Sequence, residues 1–136
     1  MQGRQFLKPA RTLANETTEA DWRGSAIHAY YALFLECREA LTRWNRLPVG
    51  RQNIHATVRL KFTYAASVEL KRIGTVLEHL VDLRNDASYH LGYFTEFKSA
   101  AAALTAIQDA DDTIALLDAI EADPQRRAAA IASLPP

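Results

Sequence analysis

The sequence predicts an all-α protein, an antiparallel bundle of four to five helices. Three observations lead there. Ala and Leu are plentiful, while 136 residues include only five Gly and five Pro, a bias toward helix. Residues 21–44 repeat apolar positions at steps of three and four. No segment alternates apolar and polar residues as a half-buried strand would, and there is no internal repeat. The length suits one domain spanning 1–136, with a core of about 3–122 and a short C-terminal extension, 123–136.

The elements follow in order. Phe6, Leu7, Ala10 and Leu13 recur at helical spacing and predict a first helix over 3–18. The second, about 21–44, carries the stripe Ala26, Tyr30, Leu33, Cys37, Ala40 and Trp44, widened by Ile27, Tyr31, Phe34 and Leu41. So broad an apolar face needs neighbours on two sides, which makes this helix central. Pro and Gly in NRLPVGRQN (45–53) end it, and Asn53 is placed to cap a short third helix, IHATVRLKFTY. A fourth begins near Ser67, with Leu70, Ile73, Val76, Leu77, Leu80 and Leu83 on one face; it either continues the third or stands apart. Gly74 within it permits close packing, at about 1 kcal/mol relative to Ala. After Gly92 a last long helix is expected over about 95–122, with Phe97, Ala100, Leu104, Ile107, Ile114 and Leu117 as its stripe. Asp123-Pro124 reads as an N-cap followed by Pro at the first position of a terminal helix.

Composition limits the function classes. With 49% hydrophobic and 24% charged residues, the chain is globular rather than disordered. No apolar run approaches the roughly 18 residues of a membrane span. The N-terminus also lacks the apolar core of a secretory signal. Cys37 has no partner for a disulfide and packs as a small hydrophobe, so a cytoplasmic location is expected. Net charge is zero but uneven: residues 1–72 hold 12 Lys/Arg and 6 Asp/Glu, a net +6, and residues 73–136 hold 4 and 10, a net −6. The basic half is densest at Arg38, Arg43, Arg46, Arg51, Arg59, Lys61, Lys71 and Arg72. That run is either an anion-binding surface or a set of solvated faces complementing acidic neighbours.

No Glu-x-x-His, HExxH or paired-cysteine motif calls for a metal, and no glycine-rich loop calls for a nucleotide cofactor, so none is expected. Arg followed at a short distance by His occurs three times, as Arg23/His28, Arg72/His79 and Arg84/His90. On an ideal helix the first pair points about 140° apart, and the second lies two turns apart, roughly 10 Å. Only Arg84 precedes a polar residue, Asn85, at the end of an apolar run. Arg84 and His90 would stand about 120° apart on a continuous helix, so they meet only if the helix ends between them or a second chain completes the site. Asp86, four residues before His90, shares its face and is placed to fix the imidazole tautomer and raise its pKa.

Three segments carry a family resemblance. SAIHAYYALFLECREAL (25–41) resembles the second-helix signature of HEPN domains (higher eukaryotes and prokaryotes nucleotide-binding), with its small residue, Tyr-Tyr-Ala and following Phe. NIHATVRLKF (53–62) is similar to the segment after their loop, and LRNDASYHLG (83–92) resembles their variant signature Arg-Asn-x-Ala-Asp-Tyr. The resemblance spans about 25–120 in the family's order. It implies a homodimeric bundle whose Arg-polar-x4-His motif lines a dimer cleft in the ribonuclease members. Carried over, Arg84, Asn85 and His90 become the catalytic candidates, with Asp86, Ser88 and Tyr89 supporting; Ser88 occupies the place of the signature's Asp. The implied chemistry is metal-independent RNA cleavage of toxin–antitoxin or defence type. His90 would move protons and Arg84 would hold phosphorane charge. Arg38, Arg43 and Arg72 are candidate RNA guides. Implied partners are RNA or a nucleotide and a small nucleotidyltransferase-type antitoxin, with no membrane. The family's other form, a non-catalytic nucleotide-binding or protein-interaction module, stands as the alternative.

Overall fold

The computed structural model describes residues 1–50, 53–92 and 95–136. Among them are six α-helices and no strand: α1 (Leu7–Ala14), α2 (Glu19–Arg43), α3 (Ile54–Thr63), α4 (Val68–Tyr89), α5 (Ala101–Ala122) and α6 (Pro124–Ala132). They form a helical bundle. No helix among the described residues is long and apolar enough to cross a membrane.

The first helix differs from its predicted span. Gly3–Phe6 is a 3-10 turn, and the α-helix runs only from Leu7 to Ala14. Pro9 is the physical reason at the front: it has no N–H to give the Gln5 carbonyl, and its ring crowds that carbonyl, so Pro9 fits only a first turn. Behind Ala14 the polar run Asn15–Thr18 offers nothing to bury. Thr18 instead caps α2, accepting from the Asp21 N–H at 3.2 Å.

α2 is central, against α1, α4 and α5. Ala29, Ala32, Leu33, Cys37, Ala40 and Leu41 are fully buried along it, and burial pushes the Cys37 thiol pKa up. Its end is a Schellman turn: Asn45 adopts φ 55°, the Arg46 N–H donates to the Leu41 carbonyl at 2.8 Å and the Asn45 N–H to Thr42 at 3.1 Å. α3 and α4 are separate helices. Asn53 accepts from Ala56 N–H and Ser67 from Leu70 N–H, so each has its own cap. Gly74 is buried where α4 crosses the end of α3; a Cβ there would lie 2.6 Å from the Thr63 nitrogen.

The long last helix also starts later than predicted, at Ala101, after a 3-10 turn at Thr95–Phe97. Phe97 is not on the α5 stripe. It is fully buried in a small cluster with Ala26 and Ala87, and that anchorage holds its segment off the α5 axis. α6 begins as expected, with Asp123 accepting from the N–H groups of Gln125 and Arg126 and Pro124 at its start. The tail is fastened: Ala130 is buried, the Ala66 N–H donates to the Ser133 carbonyl at 2.9 Å, and Lys61 Nζ donates to the Pro135 carbonyl at 2.8 Å.

Candidate functional site

Arg84 lies within α4 and His90 at its end. α4 continues unbroken through Tyr89, and His90 is its C-cap residue, its N–H donating to the Asp86 carbonyl at 3.1 Å. Arg84 and His90 therefore stand about 120° apart around one axis. Arg84 reaches α2, while His90 lies exposed at the helix end.

Arg23, set aside by its spacing, holds that helix end. Its side chain is buried, and one guanidinium nitrogen donates to the carbonyls of Asp86 (2.9 Å), Ala87 (3.2 Å) and His90 (3.0 Å). The Ala87 and His90 carbonyls lie at the helix end, past the last backbone bond, and the Asp86 carbonyl shares Arg23 with the His90 N–H. The charge suits the negative end of the α4 dipole. Arg23 also lies over the Phe97 ring at 4.6 Å and pairs with Glu19 at 3.4 Å. It is an anchor, and its pattern partner His28 is elsewhere, stacked on Phe6 at 5.7 Å. Arg72 and His79 are both exposed on α4.

Arg84 is assembled into a different constellation. Nη1 donates to Asn85 Oδ1 at 2.8 Å and Nη2 to the Tyr31 hydroxyl at 2.9 Å. Its guanidinium carbon is 5.6 Å from the ring centres of both Tyr30 and Tyr31. The Tyr31 hydrogen bond pushes the already high Arg84 pKa further up. His55, in the first turn of α3, lies close enough for the Arg84 charge to act on its ring. Its Nδ1 is 2.7 Å from the Tyr30 hydroxyl, and its ring stacks on Phe34 at 4.2 Å. Ring centres of Tyr30 and Tyr31 lie 5.8 and 6.0 Å from His55. Arg84 and His55 thus flank the same two tyrosines.

Electrostatics set the charge states. Burial first, then the charges of Arg84 and Arg38, hold the His55 pKa below its usual 6.5, so the imidazole is neutral at pH 7. Burial pushes Tyr30 up to about 12, which keeps its hydroxyl protonated. Tyr30 is 2% exposed, and His55 is its hydroxyl's partner. A buried phenol donates its proton where it can, so Tyr30 O–H donates to Nδ1 and the ring proton sits on Nε2.

The other candidates scatter. Asn85 orients Arg84, and Asp86 contributes its carbonyl to Arg23 and to the His90 N–H. Ser88 is half-buried and Tyr89 is 71% exposed. Arg43 is paired with Glu121 at 3.0 Å and Arg38 with Glu39 at 3.3 Å, and Arg126 pairs with Glu69. Arg51 lies outside the described residues. The basic run is thus partly neutralised; the charges of Arg38 and Arg84 act on His55, and that of Arg59 acts on Tyr30. A cleft of about 560 Å³ elsewhere is lined by Arg4, Glu36, Arg43, Asp118 and Glu121, whose charges pair with one another. No group of three His, Cys, Asp or Glu among the described residues could hold a metal.

Sequence reasoning did not single out Tyr30, Tyr31, Phe34 and His55 as site residues. The available signal was the Tyr-Tyr pair on a helix destined for the core, because a buried hydroxyl demands a polar partner from another element. Compared with protein-family models, curated proteins and solved structures, the chain has no significant match in any of the three.

Proposed function

We propose that this chain is a HEPN-like antiparallel bundle that acts on RNA as a homodimer, with Arg84 on the phosphate backbone. The observation that carries the reading is Arg84 itself. Its guanidinium is held by Tyr31 and Asn85 and lies near two aromatic rings, so little freedom is left to lose on binding. Aromatic rings beside arginines suit single-stranded RNA, whose bases stack and whose phosphates need charge. In the cleaving form a ribose 2′-oxygen attacks the adjacent phosphorus and the bond to the 5′-oxygen breaks. The products are a 2′,3′-cyclic phosphate and a 5′-hydroxyl. Arg84 holds the added phosphorane charge, and His90 moves a proton. Since α4 turns His90 away from its own Arg84, the His90 serving a given Arg84 comes from the second copy. A small nucleotidyltransferase-type antitoxin or a defence context fits such an activity.

The same divergence favours a second reading, a non-catalytic nucleotide-binding or protein-interaction module using the Arg84 face alone. Labelled RNA incubated with the protein in EDTA separates the two. The first predicts fragments with cyclic-phosphate ends, lost in both Arg84→Ala and His90→Ala. RNA bound through Arg84 but left intact would select the second. RNA neither bound nor cut would overturn the first and restrict the second to protein interaction.

A further inference from the structure

We infer that His55 and Arg84 together hold one RNA phosphate, with the His55 Nε2–H and the Arg84 guanidinium donating to its oxygens. This rests on the reading of the Arg84 face as an RNA site. It adds an imidazole from the same chain, distinct from His90.

Four observations converge on it. Tyr30 occupies Nδ1 at 2.7 Å, and no protein group among the described residues is bonded to Nε2. The ring cannot swing freely, because Phe34 stacks on it at 4.2 Å and Tyr31 meets it edge-on at 6.0 Å. Nε2 is therefore a fixed donor, and Arg84 is near enough for its charge to act on the ring, both groups lying within 6.0 Å of the same tyrosine ring centres. His55 also sits in the first turn of a ten-residue helix, whose N-terminal dipole favours an anion.

The charged and titratable groups around His55 are Tyr30, Tyr31 and Arg38 from α2 and Arg84 from α4, with Arg59 of its own helix acting on Tyr30. None is an acid, so the surroundings disfavour imidazolium until an anion arrives. A bound phosphate favours the protonated ring: the added proton goes on Nδ1, the Tyr30 oxygen then accepts from it, and Nε2–H stays on the phosphate, so proton and RNA bind together. Affinity strengthens as pH falls through the range between the bound and the free values of His55.

The test is fluorescence anisotropy with a labelled single-stranded RNA oligonucleotide, in EDTA and low salt, from pH 5 to 8. His55→Phe retains the ring stack and removes the donor. It is expected to weaken binding about tenfold at low pH, the weight of one hydrogen bond to a charged group, and to flatten the pH dependence relative to wild type. Arg84→Met is expected to weaken binding at every pH. If Arg84→Met binds as wild type does, the RNA reading of this face fails. If only Arg84→Met is impaired and a folded His55→Phe keeps both affinity and pH slope, the His55 inference alone is overturned. NMR titration of the wild-type His55 ring, free and RNA-bound, gives the same decision without a variant: its pKa rises on binding, or the inference fails.

Discussion

Replacing Gly74 with Ala puts two effects of opposite sign in one atom. In the interior of α4 the change gains about 1 kcal/mol from helix propensity. The added Cβ would lie 2.6 Å from Thr63 N, 2.7 Å from Thr63 Cα and 2.9 Å from the Phe62 carbonyl carbon. All three are backbone atoms, so no side chain can turn aside. α3 must retreat by several tenths of an ångström or more to restore ordinary contact. Overpacking of this kind costs about 1–3 kcal/mol. Three backbone atoms inside 3.0 Å put the cost at the upper end of that range, so the net expectation is a loss of about 2 kcal/mol, on the order of 5 °C in melting temperature for a chain this size. Gly24→Ala is the control, since there the Cβ meets only the flexible end of Leu13 at 3.1 Å; that variant should be neutral or gain up to about 1 kcal/mol. Urea denaturation followed by circular dichroism reads both. If Gly74→Ala is as stable as wild type or more so, α3 and α4 are not in the described contact. Because α3 carries His55, the retreat should also disturb the His55 ring against Tyr30, visible in its NMR shifts.

Three further outcomes follow from named contacts. Arg23→Met leaves the Ala87 and His90 carbonyls without their donor, takes a second donor from Asp86 and should lose about 2 kcal/mol, with amide exchange accelerated first in the last turn of α4; unchanged protection there would contradict the anchor. Burial pushes Glu36 up, but the hydrogen bonds and charge of Arg4 outweigh it and hold its pKa below 4.5. A depressed carboxylate contributes stability that is present above its unfolded value and lost as pH falls through its folded value. Glu36→Gln should thus lose about 2 kcal/mol at pH 7, discounted because Arg4 is half-exposed, and show a shallower acid decline; parallel pH–stability curves would refute the pairing. Mixing Arg84→Ala with His90→Ala protomers should restore about a quarter of wild-type cleavage, since half the dimers are mixed and each carries one intact site of two. No recovery would rule out an Arg84 served by its partner's His90.

Much of the fold was legible because its signals are local. Asn53, Ser67 and Asp123 each stand just ahead of an apolar-periodic run, and each caps the helix expected there. The misses have non-local or chain-specific causes. Pro9 restarts the first helix at Leu7, and Phe97 leaves its stripe because its burial site is made by α2 and α4. The site divides the same way. Arg84 and Asn85 are adjacent and were found together. The Tyr31 that receives Arg84 is 53 residues away in sequence, and His55 meets Tyr30 across 25. No spacing rule on one helix reveals contacts made by three. Arg23 shows the reverse error, since its pattern match to His28 was sequence coincidence and its partners are carbonyls, which no side-chain motif encodes.

Whether RNA touches the face of Tyr31, His55 and Arg84 is the most direct question. Photo-crosslinking of RNA carrying 4-thiouridine, followed by mass spectrometry of the linked peptides, answers it. The account predicts links to the peptides bearing Tyr31, His55 and Arg84. Absence of links, or links confined to the face of α5 and α6, would contradict it.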